Sequence, residues 1–282
     1  MKPTAALVNG ANDLPKVVLR SEDGAQAEIY RHGAHLTSWI PARGEEVLFL
    51  SRASQFGPGM AIRGGAPVIF PQFAGRGPLP KHGFARLVDW ELVETFREPP
   101  GVSAAFRLID SDVSRKIWPH AFRALLTVAI GGQQLDLSLK VTNPGPADLT
   151  FTAALHTYLR TAEISQTVVE GLGGLAYLDS TAGDREMRQQ EPDLSFNGEV
   201  DRIYLNAPAR LAVRAPGRRL AVESAGFPDV VVWNPWSEKG AALDDLEPGG
   251  YRRMVCLEAA VIGTPITLHP GESWQGTQHL SA

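Results

Sequence analysis

The most regular stretch of the chain is Gln134-Leu135-Asp136-Leu137-Ser138-Leu139-Lys140-Val141, in which apolar and polar side chains alternate at every position. Successive side chains of a β-strand point to opposite faces, so the leucines and Val141 share one face while Asp136, Ser138 and Lys140 share the other. This pattern predicts an antiparallel sheet with one face packed on a core and one face in water.

Shorter runs of β-like sequence extend in both directions from this stretch. Gly131-Gly132 lies just before it and is typical of a hairpin turn, and clusters of Gly, Pro and charge separate the other runs. Residues 179–199 predict a polar surface excursion and residues 238–246 a short helix. The sequence therefore predicts an all-β protein, a large antiparallel sandwich over residues 1–282 as a single domain, with residues 1–15 as an N-terminal arm. The predicted strands are residues 17–19, 25–30, 35–40, 47–50, 68–70, 90–96, 102–109, 121–130, 134–141, 149–160, 200–205, 211–214, 220–223, 230–234, 254–262, 266–268 and 273–278.

Composition and charge argue against several classes of function. The 282 residues include 27 basic and 31 acidic side chains, a net charge of −4, which does not suit binding to nucleic acid. No apolar run approaches the ~18 residues of a membrane span, and no basic segment precedes an apolar one at the N-terminus, so we expect neither a membrane protein nor a signal peptide. Cys256 is the one cysteine and lies in an apolar run, which predicts a buried thiol. Without an internal disulfide, a cytoplasmic location is expected. We also expect a monomer.

An unusual segment, Arg63 to Trp90, lies between the predicted strands. It consists mostly of Gly, Pro and aromatic residues, with four cations and His82 among them. Its five glycines and four prolines predict an irregular loop around one short strand at residues 68–70. Long loops of this kind in a compact domain are commonly functional.

Two polar residues interrupt the most apolar predicted strands. Glu258 follows Met254-Val255-Cys256-Leu257, and both faces of that strand are apolar. A buried carboxylate is unfavourable unless it is paired or neutralised, so Glu258 is either a reactive group, the partner of a core arginine, or a residue at a strand end that reaches water. His156 interrupts residues 149–160 in the same way. It is either a hydrogen-bonded core residue or a group that gives and takes protons near neutral pH.

Charged residues elsewhere are candidates for binding a ligand. Arginine is a planar donor for phosphate oxygens, and Arg63 opens a Gly-Gly pair at which backbone can approach a ligand closely. Arg86 and Lys81 share the same loop, and the alternative for all three is a solvated surface position. Asp201 suits the hydroxyls of a sugar, or equally a surface ion pair with Arg202.

Several familiar signatures are missing from the sequence. They are the phosphate-binding loop of nucleotide-dependent enzymes, the glycine motif of dinucleotide-binding folds, the zinc motif His-Glu-x-x-His and the nucleophile motif Gly-x-Ser-x-Gly. We therefore expect no metal and no redox cofactor.

Six segments, taken in order, resemble the aldose 1-epimerase superfamily and within it the glucose-6-phosphate 1-epimerase (hexose-6-phosphate mutarotase) branch. The resemblance runs from about residue 25 to the end. Each segment alone is a weak signal, and six in the right order are a strong one. The resemblance implies a galactose mutarotase-like β-supersandwich with its site in a cleft on the concave side. The segments are Arg63-Gly64-Gly65-Ala66-Pro67 with Phe70-Pro71, Leu79-Pro80-Lys81-His82-Gly83-Phe84-Ala85-Arg86, Leu155-His156-Thr157-Tyr158, Asp201-Arg202-Ile203-Tyr204, Val231-Val232-Trp233-Asn234-Pro235-Trp236 and Met254-Val255-Cys256-Leu257-Glu258.

The resemblance implies that Glu258 and His156 are the catalytic pair. A cyclic hexose changes anomer by opening to the aldehyde, turning about the C1–C2 bond and closing on the other face. Glu258 as a carboxylate takes the O1 proton while His156 as an imidazolium gives a proton to the ring oxygen, and the two exchange roles on closure. A gap of substrate size between the two groups is expected to keep them in opposite protonation states.

The resemblance also implies that Arg63, Lys81, His82, Arg86 and Asp201 bind the substrate. The arginines are expected to grip the 6-phosphate of a hexose, glucose 6-phosphate in the first place. Lys81 stands where several relatives have an uncharged residue, and a cation there suits a phosphate. His82 either contacts the substrate or braces the loop.

Three other functions stay open at the level of sequence. The chain is alternatively a mutarotase of unphosphorylated aldoses, or a non-catalytic carbohydrate-binding β-sandwich. The intact pair of His156 and Glu258 argues against the second, because a lectin has no need of a buried acid–base pair. A glycosidase would use Asp201 and Glu258 as paired carboxylates, but the sequence does not define the separation between them.

Overall fold

The framework of the protein is three β-sheets, and the computed structural model describes residues 2–98 and 100–282. Within these residues, all pairs between strands are antiparallel, as the alternation predicts. The strands are β1 (Thr4–Asn9), β2 (Pro15–Arg20), β3 (Gln26–Tyr30), β4 (His35–Ile40), β5 (Val68–Ile69), β6 (Glu91–Glu98), β7 (Gly101–Ile109), β8 (Arg123–Gly131), β9 (Gln134–Thr142), β10 (Leu149–Leu155), β11 (Tyr158–Arg160), β12 (Val168–Glu170), β13 (Ala176–Asp179), β14 (Arg185–Arg188), β15 (Asp193–Ser195), β16 (Val200–Tyr204), β17 (Arg210–Ala215), β18 (Arg218–Ala225), β19 (Asp229–Asn234), β20 (Met254–Leu268) and β21 (Ser273–Ser281).

Helices are few and short in the described part of the chain. None of them is long and apolar enough to cross a membrane. The α-helices are α1 (Asp112–Ile117) and α2 (Trp236–Ala241), and the 3-10 turns are Ala11–Asp13, Ala85–Leu87, Ile164–Gln166, Ser180–Ala182 and Gly250–Arg253.

The strands are distributed over a small sheet and two large ones. The small N-terminal sheet has the order β1-β2-β3-β4. The first of the two large sheets has nine strands in the order β15-β12-β17-β18-β21-β9-β8-β7-β6. The third, which we call the site sheet, has the order β14-β13-β16-β19-β20-β10-β5, and β11 also pairs with β20.

The main core lies between these sheets and is built by period-two alternation. On β9, the four positions Leu135, Leu137, Leu139 and Val141 are all buried, as the sequence predicts, while the residues between them are more exposed. On β20, the alternate residues 255, 257, 259 and 261 join the same apolar cluster. Each of the leucines and valines among them stabilises the fold by about 1.5–3 kcal/mol on burial, so both strands are strongly held.

The opposite face of β20 carries Cys256, Glu258, Ala260 and Ile262, all buried. Ala260 and Ile262 belong to one small apolar cluster and Cys256 to another. Glu258 therefore lies between two apolar clusters on the face of the site sheet turned away from the main core.

The predicted N-terminal arm is in fact mostly a strand. β1 pairs with β2 from Thr4↔Arg20 to Asn9↔Pro15, and Met1 lies outside the described residues. Five of the six side chains of β1 are exposed, so this edge strand has no alternation between a buried and an exposed face. The sequence signal for a strand was absent for that reason.

Several other elements differ from the prediction, among them the strands β12, β14 and β15, which were not predicted. Residues 47–50 make isolated bridges through Leu48 and Leu50, and they form no strand among the described residues. β20 is one strand where the sequence predicts two, and its pairing with β10 shifts register between Phe151 and Ala153. α1 was not predicted because it is six residues long, although Ser111 and Ser114 form a capping box at its start.

Candidate active site

A break between two strands places His156. β10 ends at Leu155 and β11 begins at Tyr158, so the predicted strand over residues 149–160 is interrupted at two residues. At the break, the His156 N–H donates to the Pro67 carbonyl at 3.0 Å, and the Tyr158 N–H donates to the Gly65 carbonyl at 2.8 Å. The start of the Arg63–Trp90 loop therefore supplies the backbone partners that hold the histidine.

His156 faces Glu258 directly. His156 Nε2 lies 3.3 Å from Glu258 Oε1, and the glutamate side chain is 1% exposed. The gap of substrate size expected between the two residues is therefore absent. That expectation was wrong because β20 pairs directly with β10 and β11, which places Glu258 beside the break at His156.

Each member of the pair keeps one buried polar atom unused. Neither His156 Nδ1 nor Glu258 Oε2 has a hydrogen-bond partner among the described residues. The imidazole stacks on Tyr158, with ring centroids 4.8 Å apart and planes 13° from parallel. His82 approaches His156 edge-on, with centroids 5.7 Å apart. Buried polar atoms are normally satisfied, so the free atoms make this place a candidate ligand site.

Burial disfavours the charged form of both residues. It raises the pKa of the Glu258 carboxyl well above its usual value; the charge of Asp201 acts in the same direction and that of Arg86 opposes it. Burial lowers the pKa of His156 well below its usual value, and His82, Arg86 and Arg63 lower it further. The contacting pair is therefore favoured as a carboxylic acid beside a neutral imidazole, with one proton for the two groups.

Arg63 is already engaged by the protein. Its Nε and Nη2 atoms contact the Asp245 carboxylate at 3.1 and 3.0 Å, and Nη1 donates to the Tyr158 hydroxyl at 2.9 Å. A guanidinium fixed on both sides in this way has a rigid orientation and few free donors. Its bond to Tyr158 connects it to the ring that stacks on His156.

Arg86 is bound far more loosely. Its one side-chain hydrogen bond among the described residues is a 3.4 Å donation from Nη2 to the Lys81 carbonyl, and Nε is buried without a partner. Burial lowers its pKa, yet it stays a cation at neutral pH. The side chain of Lys81 is exposed. Arg86 and Lys81 are therefore the loop cations with donors to offer a ligand.

His82 is hydrogen-bonded within the loop. Its Nδ1 accepts a hydrogen bond from the Ala74 N–H at 3.3 Å, and its backbone has a left-handed φ of 67°. Burial, then the charges of Arg86, Lys81 and Arg63, lowers the pKa of His82 to about 3, so the ring is neutral. Its edge also meets His156, so both roles expected for His82 stay compatible with its position.

Asp201 lies at the site, and the proposed surface pair with Arg202 does not form. Asp201 Oδ2 is 3.8 Å from Lys239 Nζ, whereas Arg202 bonds Gln189 at 3.0 Å. The two neighbours separate because successive residues of β16 point to opposite faces. Burial raises the pKa of Asp201 against the opposing charge of Lys239, and its own charge in turn raises the pKa of Glu258.

Three residues of the site were missed from the sequence or underweighted. Asp245 and Lys239 lie in polar surface sequence around α2, and they reach the site only because that segment folds over it. The contact between Asp245 and Arg63 joins residues 182 positions apart, and no local pattern announces it. Tyr158 was noted only as a polar neighbour of His156.

One group of side chains has the chemistry of metal ligands. Atoms of His156, Cys256 and Glu258 that can each donate to a metal lie within 4.8 Å of one another. The thiol lies behind the acid–base pair, on the same face of β20 as Glu258.

Comparison with known proteins identifies the family. The family description of aldose 1-epimerases matches residues 15–281, almost the whole chain. The chain belongs to the aldose 1-epimerase family.

Individual relatives of this aldose 1-epimerase carry more specific names. A protein of Cenchrus ciliaris, provisionally named glucose-6-phosphate 1-epimerase, is 41% identical, with 99% of this chain and 88% of that protein aligned. An Escherichia coli protein with the same provisional name is 36% identical over 83% of this chain and 79% of its own. A crystal structure from Salmonella typhimurium, described as that of a provisionally assigned mutarotase, superposes with a TM-score of 0.90 at 29% identity and covers 99% and 93% of the two chains.

These findings confirm the resemblance, the β-supersandwich fold and the enzyme class predicted from the sequence. Membership of the aldose 1-epimerase family favours an isomerase over the carbohydrate-binding module and the glycosidase. The roles of individual residues stay predictions, which the geometry now makes specific.

Proposed function

We propose that this aldose 1-epimerase interconverts the α and β anomers of a hexose 6-phosphate, with glucose 6-phosphate as the first candidate. The observation that carries the proposal is the 3.3 Å contact between His156 Nε2 and Glu258 Oε1, beside a loop that offers free cationic donors. The names of the relatives point to the same substrate. The acid–base pair acts at C1 of the sugar, and the cations of the loop bind the 6-phosphate at the other end of the same molecule.

A contacting acid–base pair suits this reaction better than a separated one. The two oxygens that exchange protons, O1 and the ring oxygen, are both bonded to C1. One acid and one base in contact with each other can therefore reach both oxygens from one side of the sugar. Positioned groups of this kind typically accelerate a reaction by about 10²–10⁴-fold each.

Ring opening moves one proton in and one proton out of the pair. Glu258 as carboxylate takes the O1 proton, the O1–H electrons form the C1=O1 bond, and the C1–ring-oxygen bond breaks. The ring oxygen keeps that bond's electrons and receives a proton from His156 as imidazolium. Opening leaves a carboxylic acid and a neutral imidazole, which is the form that burial favours. The apolar surroundings of the pair thus stabilise the open-chain stage, and closure reverses the transfers on the other face.

The loop supplies the recognition of the phosphate. Arg86 keeps a buried Nε and most of its other donors free, and a guanidinium is well matched to phosphate oxygens. Lys81 adds a second cation, five residues before Arg86 in the same loop. Arg63 acts differently: bound to Asp245 and Tyr158, it orients the aromatic ring on which His156 stacks.

NMR exchange between the α and β anomeric signals of glucose 6-phosphate tests the proposal. Wild-type protein should accelerate exchange well above the rate in buffer. Glu258→Gln removes the base while keeping the shape of the side chain, and should abolish most of the acceleration. The matched control is Glu223→Gln, an exposed carboxylate paired with Arg210. Full activity of a folded Glu258→Gln variant would sink the assignment.

The same experiment on glucose separates the two candidate substrates. If the loop cations hold a phosphate, glucose 6-phosphate should exchange faster than glucose at equal low concentration. Equal rates would favour the mutarotase of unphosphorylated aldoses.

Three properties of the whole chain are part of the proposal. We infer a cytoplasmic enzyme, a monomer without nucleic-acid or membrane partners, and one domain over residues 1–282. Light scattering should give the mass of one 30.5 kDa chain, and thermal unfolding should show one transition. A dimer mass or two separate transitions would contradict this description.

A further inference from the structure

Cys256 is a buried nucleophile that the proposed reaction does not use. It lies two residues before Glu258 on β20, so both side chains project from the same face of the site sheet. His156 faces them from the break between β10 and β11. The sulfur, an imidazole nitrogen and a carboxylate oxygen lie within 4.8 Å of one another, and His156 is the member that reaches the surface.

The separations come close to those around a tetrahedral zinc ion. With Zn–N of about 2.0–2.1 Å and Zn–O of about 2.0–2.2 Å, a tetrahedral site separates nitrogen from oxygen by about 3.3–3.5 Å. His156 Nε2 and Glu258 Oε1 are 3.3 Å apart. With Zn–S of about 2.3 Å the sulfur must lie about 3.6 Å from each of them, and the three donor atoms now lie within 4.8 Å of one another.

We propose that His156, Cys256 and Glu258 form a binding site for a thiophilic divalent cation, Zn²⁺, and that its occupation inhibits the epimerase. The donor set of one nitrogen, one sulfur and one oxygen is a zinc set, and three protein ligands leave a fourth position for water. Apart from the contact between Nε2 and Oε1, the side chains of His156 and Glu258 have no hydrogen bond among the described residues, and Nδ1 and Oε2 are buried without partners.

Charge balance is favourable once protons are counted. Binding Zn²⁺ requires a thiolate, a carboxylate and a neutral imidazole, so the thiol proton and the proton of the acid–base pair both leave to water. The two positive charges of the ion then meet two negative ligands. The resulting site is neutral, and the neighbouring cations Arg63 and Arg86 oppose it much less than they would oppose a bare cation.

Occupation and catalysis exclude each other. The ion takes the lone pairs of His156 and Glu258 that would exchange protons with the sugar. Zn²⁺ should therefore inhibit competitively with glucose 6-phosphate. The inhibition depends on the proposed function, whereas the binding of the ion does not, and the two are measured separately.

Cobalt spectroscopy tests the binding alone. Co²⁺ bound to a thiolate shows a near-ultraviolet charge-transfer band that nitrogen and oxygen ligands do not produce. The full-length protein titrated with Co²⁺ should develop this band and lose it on addition of Zn²⁺. Cys256→Ala should lack the band, and Cys256→Ser, which fills the same space, should lack it too. A wild-type protein without the band, or a band that survives in both variants, overturns the proposal.

Inhibition by Zn²⁺ tests the consequence. Each protein is compared with its own activity without metal, and Cys256→Ala should weaken the apparent affinity by at least ~10-fold, the lower end of what even a residue behind a metal ligand contributes. The matched control is His269→Ala, because His269 is exposed beside Asp148, a pair suited to adventitious metal. Inhibition that follows His269 instead of Cys256 would refute the site. If no variant has epimerase activity, the proposed function fails while the cobalt band still decides the metal site.

Discussion

The site has two halves: a strand half, which consists of His156 and Glu258, and a loop half, which consists of the cations Arg86 and Lys81 of the Arg63–Trp90 loop. The two halves hold their polar groups in opposite ways. In the strand half, His156 and Glu258 are buried against each other, and burial disfavours charge on both. In the loop half, Arg86 stays a cation and keeps donors free, and the side chain of Lys81 is exposed. The difference follows from the tasks proposed for them: proton transfer needs groups whose charge changes easily, and recognition of a phosphate needs charges that do not change.

The two halves are also built differently. The strand half rests on a central strand, β20, that is bonded on both sides. The loop half depends on glycines at close approaches: a Cβ at Gly65 would lie 2.1 Å from the Leu36 carbonyl oxygen, and one at Gly83 would lie 2.1 Å from that of Phe70. Both glycines have positive φ, so a side chain is excluded by conformation as well as by space.

The largest expected effect comes from breaking the strand half. His156→Asn removes the proposed acid and should lower exchange about 10²–10⁴-fold for glucose 6-phosphate and for glucose alike. His279→Asn, at a half-buried histidine paired with Asp136, is the control. NMR exchange measures both. A loss confined to the phosphorylated sugar would mean that His156 recognises the phosphate. It would contradict the division of the site into a half for chemistry and a half for phosphate binding.

Breaking the loop half should change selectivity instead. Arg86→Gln removes the free guanidinium and should lower kcat/KM for glucose 6-phosphate about 10–100-fold, because hydrogen bonds to charged groups contribute about 1.5–3 kcal/mol. Exchange of glucose should change little. Arg76→Gln is the matched control, since Arg76 lies in the same loop and is paired with Asp184 at 2.7 Å. Equal losses on both sugars would assign Arg86 to the chemistry.

Acid should weaken the support of the loop half. His35 Nε2 contacts the Gly64 carbonyl at 2.7 Å, and burial lowers the pKa of His35 to about 4. Its unfolded-state pKa is about 6.5, so the unfolded chain binds more protons between these values and stability falls as pH drops from 6.5 towards 4. Between pH 7 and pH 5 this one histidine should remove about 2 kcal/mol from the free energy of unfolding.

Urea unfolding of wild type and His35→Gln at both pH values measures this effect. Glutamine keeps a donor for the Gly64 carbonyl but does not titrate. The variant should therefore lose less stability on acidification than wild type does. An identical pH dependence would show that His35 does not contribute.

The smallest effect is expected where the two halves meet. Asp245→Asn leaves an acceptor for Arg63 but removes the charge that fixes it, and should lower kcat/KM about fivefold, equivalent to about 1 kcal/mol. The loss should be similar for both sugars, because Arg63 is proposed to orient Tyr158 and His156. Asp244→Asn is the neighbouring control. A loss limited to glucose 6-phosphate would mean that Arg63 binds the phosphate, as the sequence predicts.

Much of the fold could be predicted from the sequence because period-two alternation is local. β9 follows directly from it, the first part of β20 follows from an apolar run that is buried on both faces, and the irregular loop follows from its glycines and prolines. Where alternation is missing, prediction failed: β1 is exposed on nearly every side chain, and α1 is too short to show a helical period.

The identities of the acid–base pair and of the loop cations were also available from the sequence, through residues that break apolar runs and through the family motifs. Their relations were not. That His156 touches Glu258, that Arg63 is bound to Asp245 while Arg86 is loosely held, and that Cys256 completes a set of metal ligands all depend on which strands pair and which segments cover them. A pKa, a free donor and a contact across 182 residues are properties of the surroundings, and only the folded chain supplies surroundings.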